Sequence, residues 1–487
     1  MRMSRTGQVA AVDLGATSGR VMLATVGPDH LDLRQVARFD NEPVEIWNGE
    51  RAALHWDIAG LYAQVCVGLA EAARRAPELI GLGVDSWAVD YGLLRAGRLL
   101  GLPHHYRDTR SAAGVEAVHA AIAPSELYER NGLQFLPFTT IYQLAADRLA
   151  GYLGLADSAL LIPDLIGYWL TGAMATERTN ASTTGLLGID GEWEPTLRAR
   201  LGPGTRLFPE LVEPGSPLGS VLPSVRTRLG LDRAIQVTAV ASHDTASAVV
   251  AVPMAAESAA YISCGTWGLV GVELDAPVIT AASRTANFTN EAGADGRIRF
   301  LHNVMGLWLL SESVRQWERD GARIDLTRLL DQAAASPAPA AVFDVDDPRF
   351  LPPGDIPARI AGWYAERDLP APVSRVDMVR AIVESLAAAF AHGVHTAAEL
   401  SGTSVRTLHM VGGGAQNRLL CQLTADRAGL PVVAGPVEAT SIGNILIQAR
   451  THGLLTGDLD ALRAVVAAAF ALRHHAPRQA TATRKAG

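Results

Sequence analysis

Two short segments of the chain combine glycine with hydroxyl side chains in a pattern that suits phosphate binding. Gln8 to Val26 and Ala259 to Leu274 each consist of a predicted strand, a polar turn centred on glycine, and a second predicted strand. The tip of such a hairpin offers backbone N–H groups and Ser or Thr hydroxyls, the donors that the oxygens of a polyphosphate require. Two such tips in one chain predict a clamp for a polyphosphate.

A carboxylate lies between these two hairpins, where a predicted strand gives way to a predicted helix. The apolar run that begins at Ala239 ends in His243, Asp244 and Thr245, and an Ala- and Val-rich stretch follows. A carboxylate at such a junction can accept a proton from a hydroxyl group during phosphoryl transfer. His243 is typical of an oriented, hydrogen-bonded histidine, so we predict that it lines the pocket and takes no part in acid–base catalysis.

Composition and charge limit the classes of protein to consider. The chain has 487 residues, of which 48% are hydrophobic and 19% charged, as expected for a globular protein with large buried cores. This length predicts two domains of about 200 to 250 residues each. The formal net charge of −8 argues against nucleic-acid binding, which needs a basic surface. Small molecules or other proteins remain as partners, and the oligomeric state is left open.

Cysteine usage and the N-terminal residues bear on the cellular compartment. Three widely spaced cysteines, Cys66, Cys264 and Cys421, predict neither a disulfide framework nor a zinc site. The apolar run near the N-terminus is broken by Asp13, so it lacks the core of a signal peptide. No stretch reaches the roughly 18 uninterrupted apolar residues of a membrane span. We therefore expect a cytoplasmic protein that does not cross a membrane.

Lysine is almost absent from the chain, and this excludes several kinds of catalytic site. The only lysine is Lys485, close to the C-terminus. A P-loop, a protein kinase site and a pyridoxal or Schiff-base site each need a lysine within the site. None of these sites can operate in this chain, although arginine in place of surface lysine can explain the composition itself.

The first half of the chain shows the pattern of predicted strands and helices that is typical of an α/β domain. A helix is predicted over residues 58–76, followed by strands over 79–84 and 89–94. Strands that alternate with covering helices predict a mixed sheet. Two proline-rich segments, 202–223 and 336–372, are predicted to be irregular connections.

The second half repeats this pattern of predicted strands and helices and adds a third glycine turn. A long amphipathic helix is predicted over 375–400, then a strand over 407–411. The turn Gly412 to Gly414 follows, with a helix predicted over 415–427 and a strand over 431–434. This order predicts backbone amides at a helix N-terminus, which suits a nucleotide.

Three glycine turns at strand ends, without lysine, are typical of the actin-like ATPase architecture. At this level of detail the chain resembles, along nearly its whole length, the carbohydrate kinases of the xylulose, glycerol and rhamnulose kinase family. One glycine motif would be weak evidence, but many in the same order are specific. The matching segments are AVDLGATSGRVMLA (10–23), HWDI (55–58), GVDSWAVDYGLL (83–94), YRDTR (106–110), GLQFLPF (132–138), TNASTTGLL (179–187), ASHDTASAV (241–249), SCGTWGLVG (263–271), ANFTNEAG (286–293), NVMGLWLL (303–310), VGGGAQNRLLCQLTAD (411–426) and AGPVEATSIGN (434–444).

The resemblance implies ATP and Mg²⁺ as cofactors, a sugar as the acceptor, and a role for individual residues. It makes Asp244 the catalytic base, and Asp13, which alone could simply cap a turn, the holder of Mg²⁺ through water. The residues that it assigns to ATP are Ala16, Thr17, Ser18, Gly19, Arg20, Thr266, Asn303, Gly413 and Gly414. The residues that it assigns to the sugar are Ala88, His243, Asp244 and Thr245.

The resemblance also implies a fold and an activity. The fold class is α/β, with two duplicated actin-like (ribonuclease H-like) ATPase domains and a cleft between them. The expected limits are 1–250 for a sugar-binding and phosphate-loop domain, 255–452 for a nucleotide-binding domain, and 470–487 for a flexible tail. The expected reaction is ATP-dependent phosphorylation of L-rhamnulose at its C1 hydroxyl.

Two alternatives stay open at this point. A sister kinase would act on L-fuculose, xylulose or glycerol, and pocket shape alone decides among these acceptors. A non-catalytic actin-like nucleotide switch would have no use for Asp244 beside a sugar hydroxyl. The chain departs from the family pattern at Ser311 and Cys264, which puts a nucleotide contact at Ser311 in doubt and allows for an oxidant-sensitive Cys264.

Overall fold

The computed structural model describes residues 6–200 and 207–478, and its chain divides into two compact units. Unit 1 contains the described residues of Met1–Pro253, Glu273–Phe300 and Glu438–Phe470. Unit 2 contains the described residues of Met254–Val272, Leu301–Val437 and Ala471–Gly487. Two late segments of the chain thus group with unit 1 by contact, and the domain limits expected from the sequence, 1–250 and 255–452, stay a prediction.

The described residues form the following strands. They are β1 (Gly7–Leu14), β2 (Ser18–Gly27), β3 (His30–Asp40), β4 (Pro43–Trp47), β5 (Ala52–Trp56), β6 (Leu79–Ser86), β7 (Tyr91–Arg95), β8 (Arg98–Leu99), β9 (Ser158–Leu161), β10 (Thr176–Glu177), β11 (Leu211–Val212), β12 (Pro217–Ser220), β13 (Gln236–Thr238), β14 (Ala259–Cys264), β15 (Trp267–Leu274), β16 (Thr289–Ala292), β17 (Ile298–Met305), β18 (Thr407–Val411), β19 (Val432–Ala434) and β20 (Arg473–His475).

The same part of the chain forms the following α-helices. They are α1 (Ile58–Arg75), α2 (Ser111–Ala121), α3 (Pro124–Asn131), α4 (Thr140–Leu149), α5 (Ile162–Thr171), α6 (Arg178–Ala181), α7 (Pro195–Arg200), α8 (Pro223–Leu229), α9 (Asp244–Val250), α10 (Ala281–Thr285), α11 (Trp308–Arg319), α12 (Leu326–Ala335), α13 (Ile356–Ala365), α14 (Arg375–Ser401), α15 (Arg418–Ala428), α16 (Ala439–Thr451) and α17 (Leu459–Ala469). None of the helices in this part of the chain has both the length and the apolar character needed to cross a bilayer.

The main sheet of unit 1 is built around β1. Its described strands have the order β12-β13-β6-β1-β2-β3, in which β1 pairs antiparallel with β2 and parallel with β6. Residues Val9 to Val12 are fully buried, because α1 packs on β2 and β3 and α16 packs on β1 and β6. In this register Asp13 lies opposite Arg20 of β2 and Asp85 of β6, so three charged residues meet at one end of the sheet.

The sheet of unit 2 repeats the central part of this pattern. Its strands include, in order, β17, β15, β14, β18, β19 and β20, with β14 antiparallel to β15 and parallel to β18. The final strand lies within the expected flexible tail, residues 470–487, and corrects it for residues 473–475 only: Arg473–His475 pairs antiparallel with β19, and the main chain gains ladder hydrogen bonds. Residues 479–487, including Lys485, lie outside the described part of the chain.

Most of the predicted elements are present, with small shifts at their ends. Both predicted hairpins form, as β1–β2 and β14–β15, and the long helix predicted over 375–400 is α14. The prediction that 336–372 is irregular was wrong, because α13 forms inside it. Ile356, Ile360 and Tyr364 of α13 are fully buried at spacings of four, and this apolar stripe holds the helix in place despite the prolines around it.

The other proline-rich segment, 202–223, also contains regular structure. Strands β11 and β12 lie within it, and β12 pairs antiparallel with β13 at the edge of the unit 1 sheet. An edge strand tolerates proline, since one side of it donates no ladder hydrogen bonds. Residues 201–206 lie outside the described part of the chain.

Candidate active site

Asp13 ends β1 as a buried carboxylate with two partners. Its side chain accepts a hydrogen bond of 2.8 Å from the Ser441 hydroxyl, and the Nε atom of Arg20 lies 3.4 Å from its Oδ2 atom. Arg20 also pairs with Glu438. The charge of Asp13 raises the pKa of Arg20 more than burial lowers it. Asp13 is therefore held in a fixed position beside a permanent positive charge.

The tip of the β1–β2 hairpin, Ala16 to Arg20, includes the first residues of β2, and one asparagine contacts it. The Asn41 amide donates a 2.8 Å hydrogen bond to the carbonyl of Gly15. Gly19 is needed for close packing, since a Cβ atom there would lie 2.2 Å from the Cε2 atom of Phe39. The turn is partly exposed at Ala16 to Ser18, where the sequence predicts phosphate contacts.

A second carboxylate, Asp85, lies beside Asp13 at the end of β6. The Asn444 amide donates a 2.6 Å hydrogen bond to its Oδ2 atom, while its Oδ1 atom has no hydrogen-bond partner. Burial, and then the charge of Asp13, raise the pKa of Asp85 well above its ordinary value. Sequence reasoning missed both Asp85 and the polar face of α16, formed by Ser441, Asn444 and Gln448 at helical spacing.

Asp244 is the first residue of α9, and its carboxylate is partly accessible. Its side chain is 31% exposed, and its Oδ1 atom lies 3.4 Å from His243 Nε2. The Thr245 hydroxyl donates a 3.2 Å hydrogen bond to the same oxygen. Removal of solvent by the surrounding protein raises the pKa of Asp244; His243 opposes this, and Asp13 adds to it. Asp13 and Asp244, both predicted site residues, thus interact electrostatically within unit 1.

Glu177, which sequence reasoning did not single out, binds the loop before Asp244 through hydrogen bonds. Its Oε2 atom accepts hydrogen bonds from the Ser242 N–H (2.9 Å), the Ser242 hydroxyl (2.7 Å) and the Thr179 hydroxyl (2.6 Å). The Thr179 hydroxyl oxygen in turn accepts a 3.3 Å hydrogen bond from the His243 N–H. Burial raises the pKa of Glu177. The Thr-Asn-Ala-Ser motif that begins at Thr179 is thereby tied to the predicted base.

Ala88, a predicted sugar contact, lies in a strained turn that precedes β7. The Asp90 N–H donates a 2.9 Å hydrogen bond to the Ala88 carbonyl, and the residue between them, Val89, has φ 68°. A positive φ is unfavourable for a β-branched residue, and strain of this kind concentrates at functional sites. The Val89 carbonyl accepts a 2.6 Å hydrogen bond from the Thr140 hydroxyl, which helps to hold the turn.

Asp90 fixes the same turn through its side chain. Its carboxylate accepts hydrogen bonds from the indoles of Trp56 (2.7 Å) and Trp87 (3.1 Å) and from the Gln143 amide (2.7 Å). Burial raises the pKa of Asp90 to about 6, and these donors oppose the shift. The rings of Trp56 and Trp87 pack at an interplanar angle of 36°, with their centroids 4.1 Å apart. The aromatic residues beside Ala88 are therefore oriented by one buried carboxyl group.

The remaining predicted nucleotide residues belong to unit 2. Thr266 lies in the β14–β15 turn, where its carbonyl accepts a 3.1 Å hydrogen bond from the Trp308 N–H. Asn303 lies in β17 and is half-buried. Gly413 and Gly414 begin a short 3₁₀ turn, Gly413–Gln416, that follows β18.

This 3₁₀ turn corrects one detail of the sequence interpretation. The helix predicted from residue 415 begins instead at Arg418, where the Asn417 side chain accepts a hydrogen bond from the Leu420 N–H. The glycines are therefore separated from the helix N-terminus. Gly414 packs against Cys264: a Cβ atom at Gly414 would lie 2.3 Å from Cys264 Sγ. Burial raises the pKa of the Cys264 thiol, which disfavours the reactive thiolate.

Known protein families and relatives match most of the chain. Residues 9–251 match the N-terminal domain, and residues 260–452 the C-terminal domain, of the FGGY family of carbohydrate kinases. A rhamnulokinase from Pectobacterium carotovorum subsp. carotovorum (strain PC1) is 42% identical over 477 residues, which is 96% of this chain and 93% of that protein.

Solved structures share the two-domain α/β fold. A xylulose kinase from Lactobacillus acidophilus has a TM-score of 0.75 at 17% identity, covering 97% of this chain and 94% of its own. Plasmodium falciparum glycerol kinase with ADP has a TM-score of 0.73 at 15% identity, covering 96% and 94%. At these identities the likeness concerns the fold, whereas the two domain matches span most of the sequence. The chain belongs to the FGGY family of carbohydrate kinases.

Proposed function

We propose that this chain transfers the γ-phosphoryl group of ATP to the C1 hydroxyl of L-rhamnulose, giving L-rhamnulose 1-phosphate and ADP. The observation that carries the proposal is the 42% identity to a rhamnulokinase over 96% of the chain. The site in unit 1 supports it, because a partly exposed carboxylate, Asp244, lies beside an oriented histidine and interacts electrostatically with Asp13, which precedes a turn suited to phosphate.

In the proposed mechanism Asp244 accepts the proton of the sugar hydroxyl. Phosphoryl transfer has a loose transition state, so the base acts late, and placement of the reactants contributes most of the rate. Thr245 and His243, with contacts to Asp244 of 3.2 and 3.4 Å, keep the carboxylate in one orientation. Glu177 keeps the preceding Ser242 in place with hydrogen bonds of 2.7 and 2.9 Å. Ala88, on its strained turn, lines the sugar pocket.

The ATP phosphates are proposed to contact the Ala16 to Arg20 turn, and Mg²⁺ is proposed to be held by Asp13 through water. Mg²⁺ usually keeps several waters and takes one or two carboxylates plus substrate phosphates. The residues fit such an ion: Asp13 raises the pKa of both Asp85 and Asp244, and Asp85 Oδ1 has no hydrogen-bond partner. When bound, the ion would neutralise charge on the phosphates.

The nucleotide contacts in unit 2 and the compartment complete the proposal. Thr266 is proposed to contact the phosphate tail, while Asn303, Gly413 and Gly414 are proposed to hold the nucleoside end. The chain is proposed to act in the cytoplasm, supported by its three buried, unpaired cysteines, which suit a reducing compartment.

A panel of acceptors tests the proposed substrate. ADP release would be measured with L-rhamnulose, L-fuculose, xylulose, glycerol and no acceptor, at fixed ATP and Mg²⁺. We expect the highest kcat/KM with L-rhamnulose and little ADP release without a sugar. L-Rhamnose serves as the matched control, since it is an aldose isomer without the ketose C1 hydroxyl. A higher kcat/KM with another acceptor would assign this kinase to that sugar instead.

A further inference from the structure

His243 lies between the proposed base and a fully buried ion pair in unit 1. On one side, its Nε2 atom faces Asp244 Oδ1 at 3.4 Å. On the other, its Nδ1 atom lies 3.0 Å from Arg299 Nη2 and 3.4 Å from Glu291 Oε2. Arg299 and Glu291 are 3.0 Å apart, with side chains that are 0% and 6% exposed. The four residues form a continuous row of close polar contacts, from Arg299 and Glu291 through His243 to Asp244.

The position of Arg299 determines which imidazole nitrogen carries the proton. A guanidinium group only donates hydrogen bonds and stays charged at every physiological pH. The Nδ1 atom at 3.0 Å from Arg299 must therefore accept, and the proton of the neutral ring lies on Nε2. The resulting Nε2–H points toward Asp244.

Glu291 and the main chain keep Arg299 in that position. Arg299 Nε donates a 3.0 Å hydrogen bond to the Ala292 carbonyl, which orients the guanidinium group. Burial alone would raise the pKa of Glu291, but the charge of Arg299 opposes this and the pKa is lowered overall. Glu291 therefore serves as the counter-charge that a buried guanidinium needs. Without Arg299, the same carboxylate would attract a proton onto His243 Nδ1.

We propose that Arg299 is a positioning residue that fixes the tautomer of His243, so that Nε2–H is presented next to Asp244 as a donor to the sugar. This step rests on the proposed function. In it, the His243 Nε2–H group donates to the sugar oxygen next to the hydroxyl group that Asp244 deprotonates. In a ketose phosphorylated at C1, that oxygen is the one on C2. The site thereby selects acceptors that carry an oxygen next to the reacting carbon.

The tautomer can be measured without any assumption about the substrate. Protein labelled with ¹⁵N in histidine would be studied by long-range ¹H–¹⁵N correlation, with the His243→Gln variant assigning the His243 signals. We expect an unprotonated, acceptor-type Nδ1 and a protonated Nε2. A protonated Nδ1, either alone or together with Nε2, overturns the proposal whatever the enzyme phosphorylates.

Two variants of the ion pair distinguish control of the His243 tautomer from a purely structural role. In Arg299→Met the donor is lost and Glu291 remains, so the ring proton should move to Nδ1, and kcat with L-rhamnulose should fall by on the order of 10². In Glu291→Gln the Arg299 donor remains, so Nε2 should stay protonated and kcat should fall much less.

The same samples provide a control for folding. Melting temperatures would be compared, since each variant leaves one buried charge unpaired. Arg299→Lys keeps a cationic donor and should restore the wild-type nitrogen signals in part. The proposal is overturned if Arg299→Met keeps the wild-type tautomer, or if Glu291→Gln moves the proton to Nδ1. If the tautomer behaves as expected but L-rhamnulose is not phosphorylated, the proposed function fails and the positioning role of Arg299 stands.

Discussion

The Ser441 hydroxyl donates a 2.8 Å hydrogen bond to Asp13 Oδ2, which joins two residues 428 positions apart in the chain. One turn further along α16, Asn444 makes the same kind of contact with Asp85, 359 positions away. Gln448 then donates to the Ala10 carbonyl. One face of a helix near the end of the chain therefore fixes the ends of β1 and β6, where the proposed metal-holding carboxylate lies.

Replacing Ser441 with alanine should weaken this arrangement. The change removes a hydrogen bond to a buried carboxylate, so we expect a loss of about 2 kcal/mol in the free energy of unfolding. Because Asp13 loses one of the groups that orient it, the KM for Mg·ATP should rise while sugar binding changes little. Urea denaturation and initial-rate kinetics would measure the two effects.

The matched control lies on the same helix. Thr451 is exposed, and its hydroxyl donates only to the carbonyls of Gly215 and Ile447. Thr451→Ala should cost less than about 0.5 kcal/mol and leave the KM unchanged. If the two variants behaved alike, the Ser441 contact would have no special role.

The contrast between these contacts and the hairpins shows what a single sequence can and cannot predict. The β1–β2 and β14–β15 hairpins follow from local alternation and glycine turns, and both were predicted correctly. The contact between Ser441 and Asp13 depends on how α16 packs on the sheet, and no local pattern encodes that packing. The segment AGPVEATSIGN drew attention only through the family resemblance, without a physical role for Ser441 or Asn444.

Asp244→Asn tests the proposed base directly. Asparagine keeps the shape and can still accept from Thr245, but it cannot take the hydroxyl proton. We expect kcat to fall by on the order of 10² to 10⁴ with ATP affinity near normal. Single-turnover kinetics and ATP titration would measure the two quantities. Asp29→Asn, in the exposed turn between β2 and β3, is the control and should match the wild type.

Unchanged turnover in Asp244→Asn would remove this carboxylate from the mechanism. The sequence placed Asp244 at a junction of strand and helix, and α9 does begin at this residue. Glu177, Glu291 and Arg299, which surround the junction, could not be found in this way. They come from β10, β16 and β17, and only the folded chain brings them to the loop.

Stability should depend on pH through Asp90. Its pKa is raised from 3.8 to about 6. At pH values between 3.8 and about 6, Asp90 is therefore mostly protonated in the folded state and mostly ionised in the unfolded state. The stability that the protonated carboxyl contributes is complete below about pH 4 and is lost as the pH rises through about 6. Between pH 5 and pH 7.5 the loss amounts to roughly 1 kcal/mol.

The Asp90→Asn variant isolates this effect. Other groups titrate equally in both proteins, so the difference in free energy of unfolding between wild type and variant should shrink as the pH rises. Urea midpoints at pH 5 and pH 7.5 would measure it. The variant should be less stable at both values, because the amide of the introduced asparagine would face the Gln143 Nε2 donor that now lies 2.7 Å from Asp90 Oδ1. A difference that does not change with pH would contradict the role given to Asp90.

Position 414 should not tolerate any side chain, whereas the neighbouring position, Gly413, should accept one. A Cβ atom at Gly414 would lie 2.3 Å from Cys264 Sγ and 2.5 Å from Cys264 Cβ, while one at Gly413 would have no neighbour closer than 3.7 Å. We therefore expect Gly414→Ala to cost about 1 to 3 kcal/mol through overpacking, and to raise the KM for ATP by displacing the 3₁₀ turn. Gly413→Ala serves as the control for melting temperature only.

Removing the opposing atoms should reverse part of the damage. In the double variant Gly414→Ala/Cys264→Gly the two clashing atoms are gone, and the nearest remaining atom of residue 264 is its carbonyl oxygen at 3.4 Å. The double variant should melt above Gly414→Ala, with a KM for ATP closer to that of the wild type, although Cys264→Gly alone leaves a cavity and loses stability. Strictly additive effects of the two changes would show that Cys264 and Gly414 do not constrain each other, and that the glycine at position 414 serves another purpose.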